Sequence, residues 1–376
     1  MNKVLAIALS LSLGAAGTAL GQTTQQQPKP ATPAAPQRTC ASYYIPYGKL
    51  QMQNGQFEIA QYNFRYCVLL EPKNVEGLFQ LGRSETHLGL YSAAIDHLQD
   101  AIKLDSRYVP AYVAMAQAYT EQYRTATDKR TVSTALDRAL QYLDDGERVA
   151  TKNPDKAAVY NQRGLIYTQR QDFDRAVTAY REAIRLNPAD SVPHANLGAV
   201  LMRIGDLDGA VRSLRDAIEA RPTDFVSRAF LAKALIQKND YAGAKSEAAQ
   251  AFRTNADSKK HPFVVGQYGA ALYHTKDLDG ARTMLETATK LLKAISYPEN
   301  FYWLGRVYLD RGDAKSAVSN FTKATALSAN DPEYWYYLGR ANEANANKAA
   351  AAQSYEKTLA VRTPYKDAAD RLKTLK

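Results

Sequence analysis

Residues 191–222 read SVPHANLGAVLMRIGDLDGAVRSLRDAIEARP, and this stretch decides the fold. His194, Leu197 and Leu201 recur at helical spacing, so they form one apolar face of a first helix. Gly198 and Ala210 are small, which indicates that the first helix and the one after it cross most closely at these two points. The stretch therefore predicts a helical hairpin that packs through its small residues.

The turn between the two helices carries its own signals. Asp206 lies directly before the second helix, where its side chain can accept hydrogen bonds from free backbone N–H groups. Gly205 suits the left-handed conformation in which a first helix ends. A polar residue recurs at the Asp206 position of other hairpins, as Asp172, Asp240, Asp277, Asp313 and Asn347. Glycine recurs one residue earlier, as Gly55, Gly89 and Gly312.

Small residues recur along the chain with a period close to 34, which is typical of an array of helical hairpins. The first-helix series is Gly48, Gly82, Ala116, Gly164, Gly198, Ala232, Gly269, Gly305 and Gly339. Alignment on this series gives nine units, 41–74, 75–108, 109–156, 157–190, 191–224, 225–258, 262–295, 298–331 and 332–365. Residues 366–376 predict a short capping helix that covers the apolar edge of the last hairpin.

This pattern resembles that of the tetratricopeptide repeat family over residues 41–365. The fourth unit contributes Tyr160, Gly164, Tyr167, Phe173, Ala176, Tyr180, Ala183 and Pro188. The eighth unit contributes Leu304, Gly305, Tyr308, Gly312, Ala317, Phe321 and Ala324. The resemblance implies an all-α, right-handed α-solenoid of about nine hairpins, with first helices lining a concave groove.

The first forty residues have a different composition. Lys3 precedes an apolar run from Val4 to Leu13, and small residues ending at Gly21 form a cleavage site, which together predict a signal peptide at 1–21. Residues 22–40 are rich in Gln, Pro and Ala and are expected to form a flexible linker. We therefore expect export to the periplasm or cell envelope, with full secretion or an uncleaved membrane anchor as alternatives.

The chain carries a formal net charge of +10. In an exported protein this charge favours acidic peptides, anionic envelope polymers or lipid head groups as partners, and no nucleic-acid partner is expected. The basic residues are scattered, so an ordinary solvated surface is the favoured interpretation.

The chain has two cysteines, Cys40 and Cys67. Antiparallel packing of the first hairpin brings these positions together, and export permits a disulfide. Small apolar residues occupy the place of Cys67 in other units, so a buried free cysteine is the alternative.

Groove positions implied by the family resemblance single out the last two hairpins. Tyr302 and Arg306 lie four residues apart on one helix face, and Tyr336 and Arg340 repeat this spacing one unit later. The candidate groove residues are Tyr302, Trp303, Arg306, Tyr336, Tyr337, Arg340, Arg83, Lys49 and Lys233. We predict a peptide site that binds an acidic side chain or a free C-terminal carboxylate. Packing of the aromatic rings between hairpins, with solvated arginines, is the alternative.

Lys49 and Arg83 occupy groove positions that correspond to the carboxylate clamp with which family members in chaperone co-factors bind peptides. The two asparagines of that clamp are replaced by Pro46 and Gln80. The sequence therefore does not favour binding of chaperone tails.

The sequence contains few features that are typical of an enzyme. Its five histidines lack metal-ligand spacing, and motifs of nucleophilic hydrolases and nucleotide-binding loops are absent from the sequence. We expect no catalytic residues, no metal and no cofactor. The predicted function is a non-catalytic protein-interaction scaffold of the cell envelope. The alternatives are an assembly factor for a secretion, pilus or outer-membrane complex, and a protein that binds glycans or wall polymers.

Overall fold

The computed structural model describes residues 39–291 and 297–375, and their regular structure consists of helices without a strand. The α-helices α1 to α19 span Ile45–Gln53, Phe57–Leu70, Val75–His87, Tyr91–Leu104, Val109–Thr125, Ala135–Val149, Asn153–Gln169, Phe173–Leu186, Ser191–Ile204, Leu207–Ala220, Phe225–Gln237, Tyr241–Arg253, Pro262–His274, Leu278–Lys290, Pro298–Asp310, Ala314–Leu327, Pro332–Ala344, Lys348–Val361 and Lys366–Leu375. Consecutive helices pair as nine hairpins, and α19 follows them. The predicted all-α solenoid is confirmed.

The predicted signal peptide, residues 1–21, lies outside the described residues, as does the predicted linker apart from its last two residues. A short π-helical turn, Cys40–Tyr44, is capped by the side chain of Thr39 and leads directly into α1. The helical array therefore begins at Cys40, the last residue of the predicted linker. Among the described helices, none is both long and apolar enough to cross a membrane.

Small residues sit where the two helices of a hairpin cross, as the sequence predicts. A Cβ atom added to Gly198 would lie 2.6 Å from Cγ of Leu214, which is fully buried on the second helix. In the next hairpin Ala232 takes the glycine position, and the residue opposite is Ala248 instead of a leucine. The smaller residue on the first helix thus faces the larger residue on the second, so that the two together fill the space at the crossing, as close packing of a core requires.

The predicted caps and turns are also present. The carboxylate of Asp206 accepts a hydrogen bond from the backbone N–H of Gly209 at 2.8 Å. Equivalent bonds cap the second helices of the fourth, sixth, seventh, eighth and ninth hairpins. Gly205 ends its helix in the left-handed conformation, with φ of 85°. Four other hairpins adopt this conformation without glycine, at Gln171, Asn239, Lys276 and Ala346.

The array curves toward its first helices. Each first helix contacts the first helix of the next hairpin, whereas second helices of neighbouring hairpins make at most marginal contact in the described chain. The first helices therefore line the inner side of the curve, which we call the inner groove. The second helices face outward.

The third hairpin departs from the period through a polar insertion. Helix α5 runs on to Thr125, and a 3-10 turn at Lys129–Val132 leads to α6. The Lys129 ammonium donates to the backbone carbonyl oxygens of Arg124 and Ala126 at 2.9 and 3.0 Å. A lysine of the insertion thus supplies hydrogen bonds to the backbone carbonyl oxygens at the carboxyl end of α5.

A disulfide closes the N-terminal end of the array, and a packed helix covers the C-terminal end. Cys40 and Cys67 form a disulfide that ties the first turn to α2. At the other end α19 packs on α18, with Ala368 fully buried and Leu372 nearly so. Ala368 supplies the buried alanine of this contact.

Candidate functional site

The inner side of the eighth and ninth hairpins holds an arginine surrounded by aromatic rings. The guanidinium carbon of Arg306, on α15, lies 4.1 Å from the ring centre of Tyr337, 5.2 Å from that of Tyr273 and 5.7 Å from those of Tyr302 and Trp303. Rings at these distances attract a cation through their quadrupoles. We call these five residues the arginine cage.

A chain of hydrogen bonds holds this guanidinium in place. Arg306 donates to the hydroxyl oxygen of Tyr302 at 2.6 Å, and that hydroxyl donates to a carboxylate oxygen of Glu333 at 2.7 Å. Tyr302 is only 3% exposed, and its burial raises the pKa of the phenol above its ordinary value, so it stays protonated. Tyr302 therefore positions Arg306 and offers little surface of its own to a ligand.

A second arginine shares one ring of the cage. The guanidinium carbon of Arg340, on α17, lies 5.9 Å from the ring centre of Tyr337, on the face of α17 that continues the cage. Trp303 is half-buried, with ring contacts to Tyr273 at 5.5 Å and His274 at 4.9 Å. Arg306 contacts both Trp303 and Tyr337, and Arg340 contacts Tyr337, so these four residues form one patch.

Tyr336 adjoins this patch, with its ring centre 5.2 Å from that of Tyr337, but burial leaves it little surface for a ligand. It is 7% exposed and packs against Tyr355 and Tyr365, with ring centres 5.9 and 5.2 Å away. The terminal helix α19 covers the last hairpin where another first helix would otherwise stack. Because α19 closes over it, Tyr336 is part of the core there.

The predicted groove lysines are neutralised by glutamates of later hairpins. The Lys49 ammonium lies 2.7 Å from a carboxylate oxygen of Glu76, and the Lys233 ammonium lies 3.1 Å from one of Glu299. The glutamates stand at relative position 2 of their hairpins, as does Glu333. Their register with the cations at relative position 9 is visible in the sequence.

Glu76 is the centre of the N-terminal network. Burial alone would raise its pKa, but hydrogen bonds from Lys49, Tyr108 and Gln80 outweigh burial and hold the pKa of Glu76 below its ordinary value. A carboxylate that stays ionised keeps Lys49 engaged. Lys49 therefore already has a carboxylate partner within the protein.

The groove arginines differ from the lysines. Within residues 39–291 and 297–375, Arg83, Arg306 and Arg340 form no ion pair. Arg83 donates to the side-chain oxygen of Gln80 at 3.2 Å and lies over the Phe79 ring at 5.5 Å. Burial lowers the pKa of Arg83. These guanidinium groups retain donors that a carboxylate could use.

The ion pair of Lys233 with Glu299 also shapes the groove. It joins α11 to α15 and so bridges the sixth and eighth hairpins across the seventh. The intervening α13 approaches α15 closely, because a Cβ on Gly266 would lie 1.8 Å from the amide oxygen of Asn300. We call the ion pair between Lys233 and Glu299 the groove bridge.

The earlier hairpins hold two cavities on the inner side. One of about 250 Å³ is lined by Phe79, Arg83, Val113 and Gln117, among others. Another of about 410 Å³ is lined in part by Leu165, Asn196, Arg203, Phe230 and Lys233. Among the side chains that the structure describes, no three of His, Cys, Asp or Glu are grouped so that they could hold a metal ion.

Family models of the tetratricopeptide repeat match most of the hairpins. The matched residues are 48–108 and 302–367 for one model, 201–261 for a second and 164–205 for a third, described as a TPR repeat. These matches confirm the family resemblance of the repeats.

The chain is similar to one curated relative in sequence and to two solved structures in fold. A CTR9 homolog of Arabidopsis thaliana is 25% identical over 141 residues, which are 38% of this chain and only 12% of the relative. The fold is similar to that of the Cut9–Hcn1 hetero-tetramer of APC/C, with a TM-score of 0.57 and 12% identity over 89% of this chain and 76% of that one. It is also similar to a tetratricopeptide repeat protein of Parabacteroides merdae, with a TM-score of 0.52 and 14% identity over 70% and 98% of the two chains. At these identities the structural similarity concerns the fold alone.

Proposed function

We propose, from the premise that this chain is a tetratricopeptide-repeat protein, that it is a non-catalytic scaffold of the cell envelope that binds a protein or peptide segment in its inner groove. Tetratricopeptide-repeat proteins are generally non-catalytic scaffolds for protein–protein interaction. The groove side chains supply hydrogen-bond donors and aromatic surface, which suit recognition of an extended segment.

One observation carries the choice of site, namely that Arg306 and Arg340 flank Tyr337 and form no ion pair with a carboxylate among the described residues. Guanidinium groups bind carboxylates through planar, paired hydrogen bonds. The cage holds Arg306 in one geometry before a ligand arrives, which reduces the entropy lost on binding. The ligand group we propose is therefore an acidic side chain or a free C-terminal carboxylate.

Two observations support export. The N-terminal sequence has the features of a signal peptide, and the disulfide of Cys40 with Cys67 is of a kind that persists in oxidising compartments. Cell fractionation and mass spectrometry of the purified protein test this proposal. We expect an envelope protein whose first residue is Gln22, and a cytosolic protein with an intact N-terminus would refute it.

The binding site is tested with partner proteins captured from envelope extract and with synthetic peptides of their C-termini. Arg306→Ala and Arg340→Ala should each weaken binding about 10- to 100-fold, because a hydrogen bond to a charged group contributes about 1.5–3 kcal/mol. The matched control is Lys49→Ala, which removes a groove cation that already has a partner. That control should bind nearly as well as the unaltered protein.

Amidation of the peptide carboxylate should reproduce the loss seen with the arginine variants. If the amidated peptide bound as tightly as the free acid, and the arginine variants as tightly as the unaltered protein, the carboxylate would be excluded from recognition. If Trp303→Ala abolished binding of a wall polymer while the arginine variants bound it normally, the glycan alternative would replace the peptide proposal. Circular dichroism of each variant verifies that the helices are retained.

A further inference from the structure

The outward face of α2 in the first hairpin is apolar. Ile59, Tyr62, Tyr66 and Leu69 are 44%, 61%, 40% and 72% exposed. They lie at spacings of 3, 4 and 3 residues, so they follow one another along a single face of the helix. We call these four residues the outer stripe. The opposite face of α2 packs into the first hairpin through Ala60, Phe64 and Cys67.

The outer stripe is peculiar to the first hairpin. The places of Tyr62 and Tyr66 are taken by polar residues in all eight other hairpins. These pairs are Asp96 and Asp100, Gln141 and Asp145, Thr178 and Glu182, Arg212 and Asp216, Ser246 and Gln250, Thr283 and Thr287, Ser319 and Lys323, and Gln353 and Lys357. An outward face that is solvated elsewhere is therefore apolar only at the N-terminal end of the array.

The apolar surface of the outer stripe matches the apolar part of a protein interface. Of the thirteen large apolar residues that are exposed in the described chain, seven lie in the first hairpin, and four of these form the outer stripe. At about 200 Å² for a fully exposed aromatic or leucine residue, the exposed fractions of these four amount to roughly 430 Å². A stable interface covers roughly 800 Å² on each partner, of which somewhat more than half is apolar.

The stripe is already ordered in the single chain. The ring of Tyr66 stacks on that of Tyr44 with centres 5.5 Å apart. The ring centre of Tyr62 lies 5.3 Å from that of Tyr66. The disulfide between Cys40 and Cys67 fixes the turn that carries Tyr44 to α2. Tyrosines held in this way give contact area with little loss of conformational freedom.

We propose that the outer stripe is a self-association surface, on which α2 of a second copy packs antiparallel to make a two-fold dimer. The spacing of 3, 4 and 3 reads the same in both directions. An antiparallel partner therefore brings Ile59 against Leu69 of the other copy, and Tyr62 against Tyr66 of the other copy. Apolar residues at alternating spacings of three and four are also the pattern by which paired helices interlock. A two-fold contact of this kind closes on itself and leaves both inner grooves free.

Sedimentation velocity and light scattering of the mature full-length protein from 1 to 100 µM test the proposal. We expect twice the monomer mass at the upper concentrations. Tyr62→Asp with Leu69→Asp should weaken the dimer at least 100-fold without loss of helical content. Leu104→Asp is the matched control, because Leu104 is a 42% exposed leucine near the end of the second helix of the next hairpin. This control should dimerise normally.

Cysteine cross-linking tests the register. Ten residues of helix span about 15 Å, so Ile59 of one copy lies far from Ile59 of the other but next to its Leu69. A mixture of Ile59→Cys and Leu69→Cys proteins should therefore form a disulfide-linked dimer, whereas neither variant alone should do so. Cross-linking of each variant with itself overturns the antiparallel arrangement. A protein that stays monomeric at 100 µM overturns the proposal. This holds even if the outer stripe then proves to bind a different protein or lipid vesicles.

Discussion

The crossing of α9 and α10 allows a test in which one mutation changes sign with its background. Gly198 faces Leu214, and an added Cβ would lie 2.6 Å from Cγ of that leucine. In the next hairpin the corresponding pair is Ala232 with Ala248. We predict that Gly198→Ala destabilises the unaltered protein but stabilises the Leu214→Ala variant.

The magnitudes follow from two opposing effects. Alanine in place of glycine favours a helix by about 1 kcal/mol, whereas overpacking a filled core costs about 1–3 kcal/mol. Gly198→Ala should therefore lower the free energy of unfolding by about 1 kcal/mol. Leu214→Ala leaves a cavity and should lower it by about 2–5 kcal/mol. In that cavity the new methyl group has room, so the double variant should be about 1 kcal/mol more stable than Leu214→Ala alone.

Urea unfolding followed by circular dichroism measures the four proteins of this cycle. Hydrogen exchange of the α9 and α10 amides shows whether the change is confined to the fifth hairpin, as expected of a repeat array. The predicted coupling energy is about 2 kcal/mol. If Gly198→Ala shifted stability in the same direction in both backgrounds, direct contact with Leu214 would not be the reason for glycine at this position.

Three further predictions concern stability. Ala346→Gly should raise the free energy of unfolding by about 0.5–1 kcal/mol in urea, because Ala346 has φ of 58°, a conformation that costs energy for a residue with a Cβ. Stability should fall as pH drops from about 6.5 to about 4, because burial lowers the pKa of His274 to about 4 and the unfolded chain then binds a proton that the folded chain does not. After allowance for its partial exposure this effect should be about 1 kcal/mol, and His274→Gln should remove it. Reduction of the bond between Cys40 and Cys67 should cost about 2–4 kcal/mol and should speed hydrogen exchange mainly in the first hairpin.

Each of these has a control that separates it from a general effect. Ala352→Gly, inside α18, should lower stability by about 1 kcal/mol, and an equal effect of both glycine variants would contradict the strain argument. For the pH test, a hydrogen bond to Glu85 raises the pKa of His97, so His97 stabilises at low pH and this contribution is lost as pH rises through its folded pKa. The chain has no third cysteine, so reduction acts on that bond alone.

The hairpins could be predicted from the sequence because their signals are local. Gly198, Asp206 and Ala210 mark the crossing, the cap and the second helix within twelve residues, and each is found in its predicted place. Even the turns without glycine, such as that at Ala346, follow from the period, because the flanking cap and helices fix the backbone.

The site could be predicted only in part, because its contacts join distant hairpins. The period indicates that Lys233 faces the groove, but its partner Glu299 is 66 residues away, and only the curvature of the array brings them together. Tyr336 stands where a groove residue belongs, yet α19 buries it, and the periodic pattern does not include this helix. Arg306 was found through its spacing from Tyr302, whereas Tyr273, from the preceding hairpin, was missed.

The groove bridge has a consequence for the form of ligand that suits this protein. The ion pair ties α11 to α15 across the seventh hairpin, so a segment that leaves it intact would bind in the inner groove on one side of it or the other. A partner that carries two short motifs joined by a flexible tether could bind on both sides of the groove bridge at once. Its second motif would then bind at an effective concentration set by the tether, so two weak contacts would together hold it firmly.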